Sequence, residues 1–267
     1  MLTNTTEAKH SHSELQLINT VKALKLTGML DSLEGRLQQA RNSSLSYEEL
    51  LAMLFNDELE HIEREALQKR IENARFEELK SFESFDINRY APQIKNAISH
   101  LITGKFIQDK NHVIIMGPVG TGKTHLSQAL GMIACQKRKR VKFVVTNELL
   151  SEFHRARADE THDKLLKRFT KFDLIILDDF GLKPLSAEQS ADLYDLIAAT
   201  HIRASLVITT NRKIEKWMEL FFDPVMANAA LDRIVNKAYR IVLDGESYRK
   251  NFIPKIQMED DKMKKQD

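Results

Sequence analysis

Residues 111–124 read Asn-His-Val-Ile-Ile-Met-Gly-Pro-Val-Gly-Thr-Gly-Lys-Thr, and this stretch constrains the fold more tightly than any other. Residues 113–116 are a short apolar run of the kind that forms a buried parallel strand. The turn that follows opens with Gly117 and closes with Gly122, Lys123 and Thr124, the spacing of a phosphate-binding loop. The chemistry requires these residue types. Gly117, Gly120 and Gly122 let backbone N–H groups close on an anion, and Pro118, Val119 and Thr121 complete the loop. Lys123 carries a mobile positive charge to the β- and γ-phosphates, and Thr124 offers a hydroxyl to magnesium. A helix over 125–134 would add the favourable end of its dipole. The expected ligands are therefore ATP and Mg2+.

A second apolar strand, 172–178, ends in Asp178-Asp179. A carboxylate held beside a phosphate loop binds magnesium, through water, and this role falls to Asp178. Asp179 is placed to orient or polarise the attacking water. A third strand over 206–209 runs into Thr210 and Asn211. A polar side chain at the carboxyl end of a parallel strand lies where ligands bind, so Asn211 either reaches the γ-phosphate or water, or caps a helix over 213–222. Beyond it, Arg233 and Arg249 follow the last expected strand. They either bring positive charge to a nucleotide, in this subunit or the next, or make surface salt bridges.

The 267 residues suffice for one large domain and a small one, and one cysteine excludes an internal disulfide. No apolar run approaches the ~18 residues of a membrane span, so no membrane contact and a cytoplasmic location are expected. Charge is unevenly spread. Residues 1–80 hold 10 Lys+Arg against 14 Asp+Glu, whereas 134–171 hold 11 against 5. Arg155, Arg157, Lys164, Lys167 and Arg168 in that segment are candidates for double-stranded DNA phosphates, contacted without sequence preference, or form a solvated basic face.

The N-terminal part reads as helical. One helix is expected over 14–39, weakened by Gly28 and Gly35. Ser46 and Glu49 have capping-box spacing, opening a second helix over 47–74 with Leu50, Leu51, Leu54, Phe55, Leu59 and Ile62 on one side. This hairpin either docks a partner or packs on the next domain. Residues 82–90 are an aromatic-rich connector and 92–107 a helix. The expected domains are 1–80, helical; 81–255, nucleotide-binding; and 256–267, a polar tail.

The order of the P-loop, Asp178-Asp179-Phe180-Gly181, Thr209-Thr210-Asn211, Leu231-Asp232-Arg233 and Gly245-Glu246-Ser247-Tyr248-Arg249 resembles the IstB/DnaC branch of AAA+ ATPases, on the IstB side. The resemblance implies a doubly wound parallel α/β sheet with a small helical lid, preceded by an all-α N-terminal domain. It implies a homo-oligomer that encloses or tracks DNA and works with a transposase; helicase loaders of the DnaC kind are the near relatives and the alternative role. By the same resemblance Asn211 is the first sensor, Arg233 an arginine finger acting on the neighbouring subunit, and Arg249 the second sensor, acting in cis. Two other functions compete: a small-molecule P-loop kinase, disfavoured for want of an acceptor pocket, and a non-hydrolysing interaction module, disfavoured because every catalytic part is present.

Overall fold

The computed structural model describes residues 12–248. Arg249 and the polar tail lie outside the described residues. Packing divides the chain into two compact units, Met1–Lys69 and Arg70–Asp267, a break ahead of the boundary expected at residue 80.

The first unit is built on α1 (His12–Ala23), α2 (Thr27–Ser43) and α3 (Tyr47–Ala74), the last of which runs on past its end. The single helix expected over 14–39 is therefore two. The chain breaks at Lys25, whose φ of 58° is left-handed, and not at the glycines. Gly28 has another purpose: a Cβ there would overlap His61 of α3, so the glycine sets how closely α2 and α3 approach. Val21, Met29, Leu33 and Leu54 form the small core. Glu58 is buried and accepts the Met29 backbone N–H at 2.9 Å, satisfying one of the orphan donors at the start of α2. Arg36 grips Asp57 with two hydrogen bonds of 2.8 Å, which hold that carboxyl down at about 2. The Ser46–Glu49 capping box forms, with bonds of 2.8 and 3.2 Å. The apolar side expected on α3 is split: Leu54 is buried with Leu50 packed beside it, while Leu51, Phe55, Leu59 and Ile62 face solvent.

The second unit holds α4 (Pro92–Ile102), α5 (Lys105–Gln108), β1 (His112–Met116), α6 (Lys123–Gln136), β2 (Val141–Val145), α7 (Thr146–Ala158), α8 (His162–Phe169), β3 (Leu174–Asp178), α9 (Ala187–Thr200), β4 (Ser205–Thr210), α10 (Pro224–Val235) and β5 (Ala238–Val242). The five strands form one all-parallel sheet in the order β2-β3-β4-β1-β5. Its middle strands are buried apolar runs, as a sheet covered on both faces requires. β1 sits between β4 and β5, so the loop after Met116 emerges among strand ends, where a parallel sheet binds ligands.

Three expectations are corrected. A fifth strand, β5, follows α10, so Arg233 precedes the last strand instead of following it. The helix expected over 92–107 breaks between α4 and α5, where Gly104 has φ 72°. The helix expected over 213–222 is two 3-10 turns, Ile214–Lys216 and Met218–Leu220. Trp217 and Leu220 are both buried there, and three residues per turn places both on one side. No lid helix follows β5 within the described residues.

Gly28 and Gly35 should respond oppositely to alanine. Gly28→Ala forces overlap with His61 and should lower stability by about 1–3 kcal/mol. Gly35 has open space around it, so Gly35→Ala should raise stability by roughly 0.5–1 kcal/mol. Urea unfolding followed by far-ultraviolet circular dichroism decides the signs; equal effects would contradict this packing.

Candidate nucleotide-binding site

The P-loop leaves β1 at Gly117 and enters α6 at Lys123. Gly120 and Gly122 have φ of 82° and 87°, where L side chains are strained, and a Cβ on Gly120 would also overlap the Ser247 side chain. The loop braces itself: Thr121 Oγ1 and Lys123 Nζ each donate to the Pro118 carbonyl at 2.9 Å. Lys123 is nearly buried, so its ammonium lies over the loop and not out in solvent.

Asp178 ends β3 at 3 % exposure. Thr124 Oγ1 donates to its Oδ2 at 2.9 Å and Thr209 Oγ1 to its Oδ1 at 2.6 Å. Burial pushes the Asp178 carboxyl above its ordinary value and the charge of Asp179 adds to this, while the two hydroxyls oppose it. Thr209 Oγ1 also accepts the Asp179 N–H at 3.0 Å, and Thr146 Oγ1 donates to the Asp178 carbonyl at 2.8 Å. These bonds turn the chain sharply. Asp179 takes φ 53°, a conformation that aspartate tolerates better than most residues, and its side chain is exposed. Phe180 turns inward onto Trp217, with ring centroids 4.6 Å apart.

Asn211 is exposed at the end of β4, one residue beyond Thr210, which pairs with Met116. Strand register thus brings the P-loop, Asp178-Asp179 and Asn211 to one edge of the sheet. Arg233 is elsewhere. It lies in the last turn of α10, donates to its own helix at Ala229 O (2.8 Å), and stacks over Tyr194 with its guanidinium carbon 5.3 Å from the ring centroid. Lys237, just after that helix, accepts the N–H of His112, the first residue of β1, at 2.8 Å. Arg233 is therefore at the amino ends of the strands, and the P-loop is at the carboxyl ends.

The basic residues are also sorted by their partners. Arg157 is paired with buried Asp192 at 2.5 Å, and Arg168 with Glu152 at 2.6 Å. Arg155, Lys164 and Lys167 are exposed. Arg155, Lys164 and Arg168 line a cleft of about 1210 Å³ beside β2, together with Lys142, whose ammonium is pushed down to about 8, chiefly by burial. Residues absent from the expected site are Thr209, Thr146 and Tyr90, whose hydroxyl donates to the Thr121 carbonyl at 2.6 Å. For Thr209 there was a sequence signal: hydroxyl residues closing an otherwise apolar strand.

The geometry fits a nucleoside triphosphate and its metal. Leu243 and Ser247 leave no room for side chains at Gly117 and Gly120, a lysine lies across the loop, and a hydroxyl–carboxylate pair stands at the start of α6. A phosphate loop after β1 and an acidic pair after β3, in a parallel sheet of this order, define an AAA+ ATP-binding protein. The model of the IstB-like ATP binding protein family matches residues 19–254, and the chain belongs to that family. It is 38 % identical to an insertion-sequence ATP-binding protein of Mycobacterium tuberculosis over 87 % of this chain and 93 % of that one. It is 32 % identical to an insertion-sequence ATP-binding protein of Bacillus thuringiensis over 89 % and 95 %. The DnaC helicase loader shares the fold, with a TM-score of 0.51, 20 % identity, and coverage of 66 % of this chain and 99 % of that one. No helix among the described residues is long and apolar enough to cross a membrane.

Lys123→Ala should weaken ATP binding by about 10- to 100-fold, the loss expected of one charge-assisted contact. It should leave the circular dichroism spectrum unchanged. Nucleotide titration checks this, and an unaltered affinity would remove the phosphate role from Lys123.

Proposed function

We propose that this chain hydrolyses ATP at sites shared between copies of itself and that its ATP-bound assembly holds duplex DNA for a transposase. The observation that carries the reading is the separation of the chemical parts. The P-loop, Asp178, Asp179 and Asn211 stand at the carboxyl ends of the strands, and Arg233 stands at the amino ends. The five residues of β1 separate the two edges by roughly 13–16 Å at the rise of a strand. An arginine so placed serves the site of another copy better than its own.

In this reading Lys123 and the loop N–H groups bind the β- and γ-phosphates. Thr124 and Asp178 hold magnesium, which when bound neutralises charge developing on the phosphate oxygens. Asp178 holds the metal as the carboxylate, the form that its two hydroxyl partners favour. Asp179, exposed and turned out of the strand, orients the water; Asn211 contacts the γ-phosphate or that water. The neighbouring copy's Arg233 leaves Ala229 and Tyr194 to stabilise the transferring phosphoryl group, and Arg249 acts in cis.

The insertion-sequence context of the two relatives supports work beside a transposase, whereas the likeness to the helicase loader is one of fold. For DNA the candidate surface is the 134–171 segment. Arg157 and Arg168 are engaged in ion pairs, and removing Arg157 would take from buried Asp192 the arginine that pairs with it alongside His162, so Arg155, Lys164 and Lys167 are the cleaner probes.

Duplex affinity should require a slowly hydrolysed ATP analogue, because assembly multiplies weak contacts, and should fall steeply with salt. Arg155→Ala, Lys164→Ala and Lys167→Ala together should weaken all sequences alike and flatten the salt slope by about one unit per lost contact in each subunit. A triple variant with wild-type affinity and slope would place the DNA surface elsewhere.

A further inference from the structure

Residues 76–90, which join α3 to α4, lie along α6 in reverse order and touch it about once per helical turn. A Cβ on Gly131 would press into the Phe76 ring. The Glu78 N–H donates to Gln128 Oε1 at 3.2 Å. His125 Nε2 lies 3.0 Å from Ser81 O and 3.1 Å from Ser84 Oγ, and its ring meets Phe85 edge-on at 5.3 Å. Phe85 stacks on Tyr90 at 5.6 Å, and the Tyr90 hydroxyl donates to Thr121 O at 2.6 Å. Positions 125, 128 and 131 share one side of α6 at helical spacing, and Thr121 precedes that helix in the P-loop. The connector is thus a strap, and its last residue reaches into the P-loop.

The contact at Thr121 has a direct consequence. A trans peptide is planar, with its carbonyl and the following N–H pointing opposite ways. With the Thr121 carbonyl held by Tyr90, the Gly122 N–H of the same plane is turned to the opposite side. Tyr90 is 4 % exposed, and burial pushes its hydroxyl up to about 12, so it stays a donor across the working pH range. A second brace acts on the loop tip: Tyr248 N–H donates to Gly120 O at 2.9 Å, and Arg89 lies 4.1 Å over the Tyr248 ring.

We propose that Tyr90 is a positioning residue for nucleotide binding: held by the strap, its hydroxyl fixes the Thr121–Gly122 peptide so that one phosphate-binding N–H is aimed before the ligand arrives. Preorganised donors of this kind need no reorganisation when the anion enters. The inference rests on the P-loop's being the ATP site, and it adds a residue outside the loop that tunes affinity.

Tyr90→Phe deletes the hydroxyl and keeps the ring stack. ATP and ADP should both bind about 3- to 10-fold more weakly, the range for one neutral hydrogen bond. KM should rise by the same factor, with kcat at saturating ATP within about twofold. Amide hydrogen exchange at 119–124 should accelerate in the nucleotide-free protein, whereas Phe85→Leu, which loosens the stack alone, should shift affinity in the same direction by less. Unchanged nucleotide affinity in Tyr90→Phe overturns the proposal, as does a fall in melting temperature and active fraction with the dissociation constant unmoved. Lys123→Ala separates the two levels: if it binds ATP normally, the site reading fails; if it does not bind while Tyr90→Phe binds as wild type, only the strap inference fails.

Discussion

The Asp178 carboxylate is the point on which the carboxyl edge of the sheet depends. Taken out of water alone, a carboxylate is costly to bury; here both oxygens accept hydroxyl hydrogens, from Thr124 and Thr209. Its own carbonyl accepts a third, from Thr146. Those three threonines come from α6, β4 and the start of α7, so one residue ties β4 to the helices that follow β1 and β2. The same Thr209 hydroxyl fixes the Asp179 N–H and with it the turn that exposes Asp179. Loss of Thr209 would therefore affect an acidic residue's burial and its neighbour's direction together.

The clasp extends away from the site through packing. Thr210 Oγ1 donates to the Phe180 carbonyl at 2.8 Å, and Arg212 donates to the Gly181 carbonyl, so the loop after β3 is stitched to the loop after β4. Phe180 rests on Trp217 inside the main core, and Leu185 donates to the Leu220 carbonyl at 2.8 Å. The acidic turn is thereby anchored in the apolar interior rather than left on a free loop.

The P-loop and the strand ending in Asp178-Asp179 were legible because their chemistry fixes residue types at short spacings. β5 was not: Ala-Tyr-Arg-Ile-Val is an edge strand with one buried residue, Ile241, and carries no apolar run. The break at Lys25 left no mark either, since its left-handed turn is made by a residue that ordinarily favours helix. Tyr90 and Thr121 meet across 31 positions, and no local pattern reports such a bond. Charge counting found the basic segment, but counting cannot see that Arg157 and Arg168 already have acidic partners. The apolar positions of α3 illustrate the same gap, since periodicity marked Leu51 and Leu54 together and packing buries only Leu54.

In the proposed function one copy supplies the phosphate-binding parts and another the arginine. Mixing Lys123→Ala with Arg233→Ala tests it most directly, because each variant lacks a different half of the shared site. With assembly confirmed by sedimentation, ATPase activity absent from each variant alone should return in part on mixing, with a maximum near equal amounts. Activity that stays at background at every ratio would contradict a site shared between copies.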